Sequence, residues 1–206
     1  MTISDGTLTE NLVETTPGHY YTSEEYFGEE NKTYDLRIEY GGEVYTSTST
    51  IDPVTSIDSV AYDLAEIDED DEEDEDYVYE PFGIYPYFQE PNTPNQHYLF
   101  KLSINGVPYT DEMIDWFFTD DTFVNGNYIE DAEFFNFNAM PGDSVTFEIY
   151  SISEAAYDYL NAMLLETEFR GGLFDGAPAN VPSNMSNGAL GAFLTMDVEK
   201  ASLIMN

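Results

Sequence analysis

The sequence predicts a mainly β protein: an antiparallel β-sandwich, or a pair of sandwiches, with one α-helix near residues 152–169. Three observations lead there. Short segments of alternating apolar and polar residues recur along the chain, many rich in Thr, Val, Ile, Tyr and Phe, which suit a half-buried pleated surface. Turn signals separate them at intervals of roughly ten residues. One segment alone stands out with apolar residues at helical spacing. The 206 residues are 42% apolar and 16% aromatic, enough for a real core and unlike an acidic disordered chain.

The elements follow in order. Residues 7–13 and 19–22 read as short strands around the turn Thr16-Pro17-Gly18. Residues 34–40 (YDLRIEY) alternate, Gly41-Gly42 follows, and residues 43–50 (EVYTSTST) are β-branched and aromatic, which predicts a hairpin. Ile51-Asp52-Pro53-Val54 breaks the pattern and marks the expected boundary between segments 1–52 and 53–206. Residues 59–67 read as a strand running into an acidic loop. Residues 77–89 are aromatic-rich, and Pro81 and Pro86 predict an edge strand or two short ones. After the loop Pro91–Pro94, residues 97–104 form a strand that turns at Asn105-Gly106, and Asn125-Gly126 is a second hairpin signal. Residues 132–137 and 144–151 are further strands around Pro141-Gly142-Asp143.

The helix is expected over about 152–169. Ser151 and Glu154 match a capping box, Ala156, Leu160, Met163 and Leu164 share a face, and Arg170-Gly171-Gly172 is a stop. Residues 190–204 return to strand.

Charge excludes more than it identifies. There are 42 acids against five bases (Lys32, Arg37, Lys101, Arg170 and Lys200), a formal net charge of −37. A phosphate backbone needs clustered cations, so nucleic acid is excluded as a direct partner. Cysteine is absent, which removes disulfides, thiolate metal sites and thiol nucleophiles. The two histidines, His19 and His97, lie in no recognisable triad or metal setting, and no glycine-rich phosphate loop occurs. No catalytic residue and no cofactor are assigned. Residues 68–76 (DEDDEEDED) repel one another and are expected to be a solvated loop. Its hard-cation alternative rests on Asp70, Asp71 and Asp74, with Asp120 and Asp121 as a second weak set; the run lacks calcium-loop spacing, so any calcium binding is diffuse.

Several short motifs resemble one family. They are Thr2–Gly6 (TISDG), Thr15–Tyr20 (TTPGHY), Thr33–Ile38, Tyr45–Ser47, Pro53-Val54, Ile57–Ser59, Asn95–Phe100 (NQHYLF) and Ile104–Gly106. The most specific is Ala177–Phe193 (APANVPSNMSNGALGAF). Together they are similar to the outer-membrane lipoproteins classed as domain of unknown function 4249, a Bacteroidetes family commonly encoded beside TonB-dependent receptors. The resemblance implies a signal peptide, a lipobox cysteine and earlier strands ahead of Thr2. On that expectation, residues 1–52 are the remainder of an N-terminal immunoglobulin-like layer, and membrane attachment is through a lipid anchor outside this chain. The chain by itself is expected to be soluble.

Two segments carry contact candidates. In the aromatic run Tyr77, Tyr79, Phe82, Tyr85, Tyr87 and Phe88, alternate rings must face opposite sides, so Tyr85, Tyr87 and Phe88 are candidates for an exposed docking strip or for core. In residues 178–191, rich in Pro, Asn, Ser and Gly, Asn180, Asn184 and Asn187 belong either to an ordered capping loop or to a contact surface. The expectation is a non-enzymatic accessory lipoprotein at the outer membrane or cell surface, assisting substrate capture by a TonB-dependent transporter. The alternative is a stand-alone glycan- or peptide-binding module. Neither comes from composition.

Replacing residues 68–76 by a Gly-Ser segment of equal length is expected to leave the melting temperature unchanged, or slightly raised at low salt, because nine like charges gain nothing from burial. A large loss in calcium-free buffer would show the run to be structural.

Overall fold

The computed structural model describes residues 1–65, 81–168 and 181–206. The acidic run with Asp70, Asp71 and Asp74, the rings of Tyr77 and Tyr79, the stop at Arg170–Gly172, and Asn180 lie outside the described residues. The architecture is mainly β, with antiparallel sheets and one helix. The chain divides into two compact units, Met1–Pro53 with Ser151–Asp197, and Val54–Tyr150 with Val198–Asn206. The first unit thus takes in the helix and the Asn/Ser-rich segment, which the sequence boundary had grouped with the second.

In the first unit, β1 (Thr2–Ser4), β2 (Thr9–Asn11), β5 (Thr33–Tyr40) and β6 (Glu43–Thr50) form a sheet of order β2-β1-β5-β6. β3 (Val13–Thr16) and β4 (His19–Tyr21) make a separate hairpin. The β5–β6 hairpin pairs Tyr40 with Glu43 around Gly41-Gly42, both at positive φ. Asp5 closes the β1–β2 turn: its Oδ1 accepts from the Thr7 N–H (2.9 Å), the Thr7 hydroxyl (2.8 Å) and the Leu8 N–H (2.7 Å). Those donors hold the Asp5 carboxyl well below the usual carboxylate range.

Edge strand β6 is covered. The Ser186 N–H donates to the Thr46 carbonyl (2.8 Å), the Thr46 N–H donates to Ser186 Oγ (2.7 Å), and the Ser47 hydroxyl donates to the Asn184 carbonyl (2.9 Å). The Asn/Ser-rich segment therefore satisfies the backbone of Thr46, in the middle of an edge strand. Helix α1 (Glu154–Glu168) is capped by Ser153, whose Oγ accepts from the Ala156 N–H at 3.2 Å. The expected cap at Ser151 is corrected. Ser151 is still in a strand, and its hydroxyl donates to the Asp52 carbonyl while its oxygen accepts from the Asp197 N–H (3.3 Å). Ala156 and Leu160 on the expected apolar face are buried.

The second unit holds two sheets. One comprises β7 (Ile57–Leu64), β8 (Phe82–Gln89), β12 (Tyr128–Ile129) and β13 (Phe135–Phe137), with β8 in the middle. The other comprises β9 (His97–Ile104), β10 (Val107–Pro108), β11 (Phe117–Asp120), β14 (Ser144–Ile152) and β15 (Asp197–Ile204). Their inner faces meet as a sandwich. Ile84 and Phe88 of β8 and Phe137 of β13 share one buried cluster with Tyr98, Phe100 and Leu102 of β9 and Val145, Phe147 and Ile149 of β14. Phe134 meets Phe100 and Phe147 edge-on at centroid distances of 4.9 and 5.4 Å, the geometry that ring quadrupoles favour.

Three sequence expectations are corrected here. β8 is a central strand and continuous through Pro86. On its β12/β13 flank the paired residues are Phe82–Ile84 and Phe88-Gln89, so no ladder partner lies opposite Pro86 there and its missing N–H is accommodated. Asn125-Gly126 is not a hairpin turn: it leads from β11, paired with β9, to β12, paired with β8. Residues 190–196 are not strand; β15 begins at Asp197. Asn105-Gly106, by contrast, turns β9 into β10 with both residues at positive φ.

Phe147→Ala is expected to destabilise the protein by about 3–5 kcal/mol in urea unfolding, whereas Leu190→Ala, at an exposed site, changes it by less than about 0.5 kcal/mol. Asp5 titrates at a lower pH folded than unfolded, so its contribution is present above pH ~4 and is lost as pH falls below that. Asp5→Asn is therefore expected to lower stability at pH 7 and to flatten the acid limb of a stability–pH curve.

Candidate functional site

Two faces of the second unit gather chemistry. On the outer face of the five-stranded sheet, period-two alternation places Lys101 and Ser103 of β9 beside Thr146, Glu148 and Tyr150 of β14, opposite the buried row Phe100, Leu102, Phe147 and Ile149. Lys200 of β15 joins them. With Gly106, Pro108, Thr110 and Asp111 they line a groove of about 470 Å³.

Local folding explains how the groove is built. After β10 the chain makes a short 3-10 turn, Met113–Asp115, which delivers Trp116. The indole N–H donates to the Thr110 carbonyl (3.2 Å), and the Lys101 ammonium sits 3.6 Å from the indole ring centroid and 5.7 Å from that of Tyr150. Glu148 holds Lys200 at 2.6 Å and accepts from the Tyr150 hydroxyl. Burial pulls the Lys101 pKa down, opposed by the charge of Glu148. Burial and the bond to Glu148 push the Tyr150 phenol up, so it remains a neutral donor. Among the described residues Lys101 forms no ion pair.

The second face is the outer side of the β8 sheet. Tyr85 and Tyr87 point away from the core row Ile84, Pro86 and Phe88, and Tyr128, paired with Gln89, lies on their side. Each hydroxyl donates to a carboxylate: Tyr85 to Glu133 (2.8 Å), Tyr87 to Asp131 (3.1 Å) and Tyr128 to Asp58 (3.1 Å). The bond to Asp131 is the main cause raising the Tyr87 pKa, and desolvation is the main cause for Tyr128.

The other sequence candidates are dispersed. Phe88 is buried in the core, so its ring is not on the contact face. Asn184 is tied to Phe193, donating to its carbonyl (2.7 Å) and accepting its N–H (2.9 Å). Asn187 turns the chain at positive φ and donates to Glu43 (3.1 Å). Asp120 caps Thr122 (2.9 Å), which with the Thr122 hydroxyl lowers its pKa. Asp121 is buried and accepts from the Asn95 N–H (3.1 Å) and the Asn125 amide (3.1 Å). These two acids do not converge, and among the described residues no group of three or more His, Asp or Glu is placed to hold a metal ion.

Sequence reasoning missed the groove and two other features. Glu90, 1% exposed, accepts from the Tyr98 hydroxyl (3.0 Å) and the Gly126 N–H (2.6 Å). In the first unit a pocket of about 330 Å³ is lined by Ile3, Tyr26, Gly28, Tyr34, Ile51 and residues 193–196. The buried Tyr26 hydroxyl has no hydrogen-bond partner among the described residues, and burial raises its pKa. The one available signal for the groove was that the single tryptophan, Trp116, follows in the segment after the strand that carries Lys101.

No helix among the described residues is long and apolar enough to cross a membrane. A family model described as Domain of unknown function (DUF4249) matches residues 1–202. No curated protein and no solved structure matches the chain.

Proposed function

The chain belongs to the family of domain of unknown function 4249, and from that premise we propose that it is a non-enzymatic accessory lipoprotein of the outer membrane or cell surface, holding substrate for a TonB-dependent transporter. The observation that carries the binding part is the tyrosine face of the β8 sheet. Tyr85, Tyr87 and Tyr128 are fixed by their carboxylate partners on a sheet whose other side is core. Rings held this way offer large contact area at little entropy cost, as recognition surfaces require. Their hydroxyls are spent on orienting hydrogen bonds, an arrangement suited to contact. The lipid anchor and the transporter come from the family resemblance.

The same tyrosines support a second reading, a module that binds glycan or peptide unaided. Affinity capture with the anchored full-length protein from outer-membrane extract separates the two. Recovery of the cognate transporter, lost in a Tyr85→Ala/Tyr87→Ala variant that keeps its melting temperature, is the expected result. Binding of a glycan or peptide by the isolated chain, with no transporter recovered, would favour the unaided module. Turnover of any such substrate, abolished by one carboxylate-to-amide change in a folded protein, would overturn both.

A further inference from the structure

The groove beside Lys101 plays no part in that reading, which rests on the opposite sheet. Its character comes from scarcity. Two of the five bases of a chain with net charge −37 lie in this one groove. One of them, Lys200, is neutralised by Glu148 at 2.6 Å. The other is held over Trp116 by a contact with its charge, which leaves its N–H donors unmatched by any carboxylate among the described residues.

We infer that the groove binds a small organic acid, with the Lys101 ammonium receiving its carboxylate and the apolar surfaces of Pro108 and the Tyr150 ring packing against its body. The volume, about 470 Å³, is that of a small-molecule site. Lys101 is half-buried beside Trp116 and Tyr150, which strengthens a charge-assisted hydrogen bond made there, and a carboxylate partner offsets the desolvation that lowers its pKa. The ligand is a monoanion, because Lys200 is already paired with Glu148, Lys101 is the one cation left among the groove's described residues, and Asp111 in its lining repels a second negative charge. The net charge of the whole molecule opposes any anion at long range. Affinity should therefore rise as salt approaches ~0.15 M, where the screening length is ~8 Å, while the short contact persists.

The test uses the full chain and its only tryptophan as reporter, since Trp116 lies directly under Lys101. The probes are N-acetyl-glycine, -alanine, -leucine and -phenylalanine, each compared with its own amide. Expected are a saturable change in Trp116 fluorescence with at least one acid, about tenfold weaker binding of the matching amide, and a similar loss in Lys101→Met. Methionine keeps the apolar stem, and a melt checks that the variant folds. If it does not fold, the acid–amide comparison on the native chain decides alone. No saturation by any acid below ~10 mM, equal binding of acid and amide, or undiminished acid binding by folded Lys101→Met each overturns the inference. None of these results bears on the tyrosine face, so failure here leaves the accessory role standing.

Discussion

Five bases cannot neutralise forty-two acids, and the structure is organised around that shortage. Beyond the few carboxylates paired with Lys32, Arg37 and Lys200, an acid that enters ordered structure finds N–H or O–H donors on neutral groups, since an unpaired charge near the interior is costly. The donors used are backbone amides, threonine and serine hydroxyls, asparagine side chains, and phenols. Glu90 rests on the Gly126 N–H and the Tyr98 hydroxyl, and Asp121 on the Asn95 N–H and the Asn125 amide. Asp143 accepts from the Met140 N–H (2.7 Å) and Asn105 (2.8 Å), which lowers its pKa and fastens the turn beside β14. Hydrogen bonds to charged acceptors are among the stronger ones, so this substitution for salt bridges sacrifices little.

The abundance of tyrosine, 17 residues, takes on a purpose in this light. A phenol buries a ring and still presents a donor, so it serves core, surface and carboxylate at once. Tyr98 does this inside the sandwich, and Tyr85, Tyr87 and Tyr128 do it outside. The same shortage makes Lys101 conspicuous. In a chain so poor in cations, an ammonium kept beside a tryptophan instead of a nearby acid is an unusual allocation.

The fold was legible where the information was local. Residues 34–50 announced their hairpin through alternation and Gly41-Gly42, and Asn105-Gly106 announced its turn because both positions need positive φ. Legibility ended where partners distant in sequence decide. Pro86 reads as an edge signal, yet the gap between β12 and β13 that admits it is made by residues 128–137. Asn125-Gly126 carries a hairpin motif, but buried Glu90 claims the Gly126 N–H. Ser151 and Ser153 are equivalent as caps on paper; Asp52 and Asp197 engage the first and leave the second to the helix. Of the candidate contacts, alternation says only that neighbouring rings face opposite sides, so Tyr85, Tyr87 and Phe88 read alike; which of them turn outward is decided by the core formed with β9 and β14, which buries Phe88. The Lys101 groove was not legible, because Lys101, Trp116, Glu148 and Lys200 come from four separate segments.

The central claim is that neutral donors, with few ion pairs, hold the acids of this fold against strong overall repulsion. Urea unfolding midpoints measured from ~0.02 to ~0.5 M sodium chloride at pH 7 test it most directly. Screening weakens surface ion pairs and like-charge repulsion alike, but affects neutral-donor hydrogen bonds much less. The account predicts a midpoint that rises steadily with salt at constant slope m. A midpoint that falls with salt would mean that attraction between opposite charges dominates, and would contradict it.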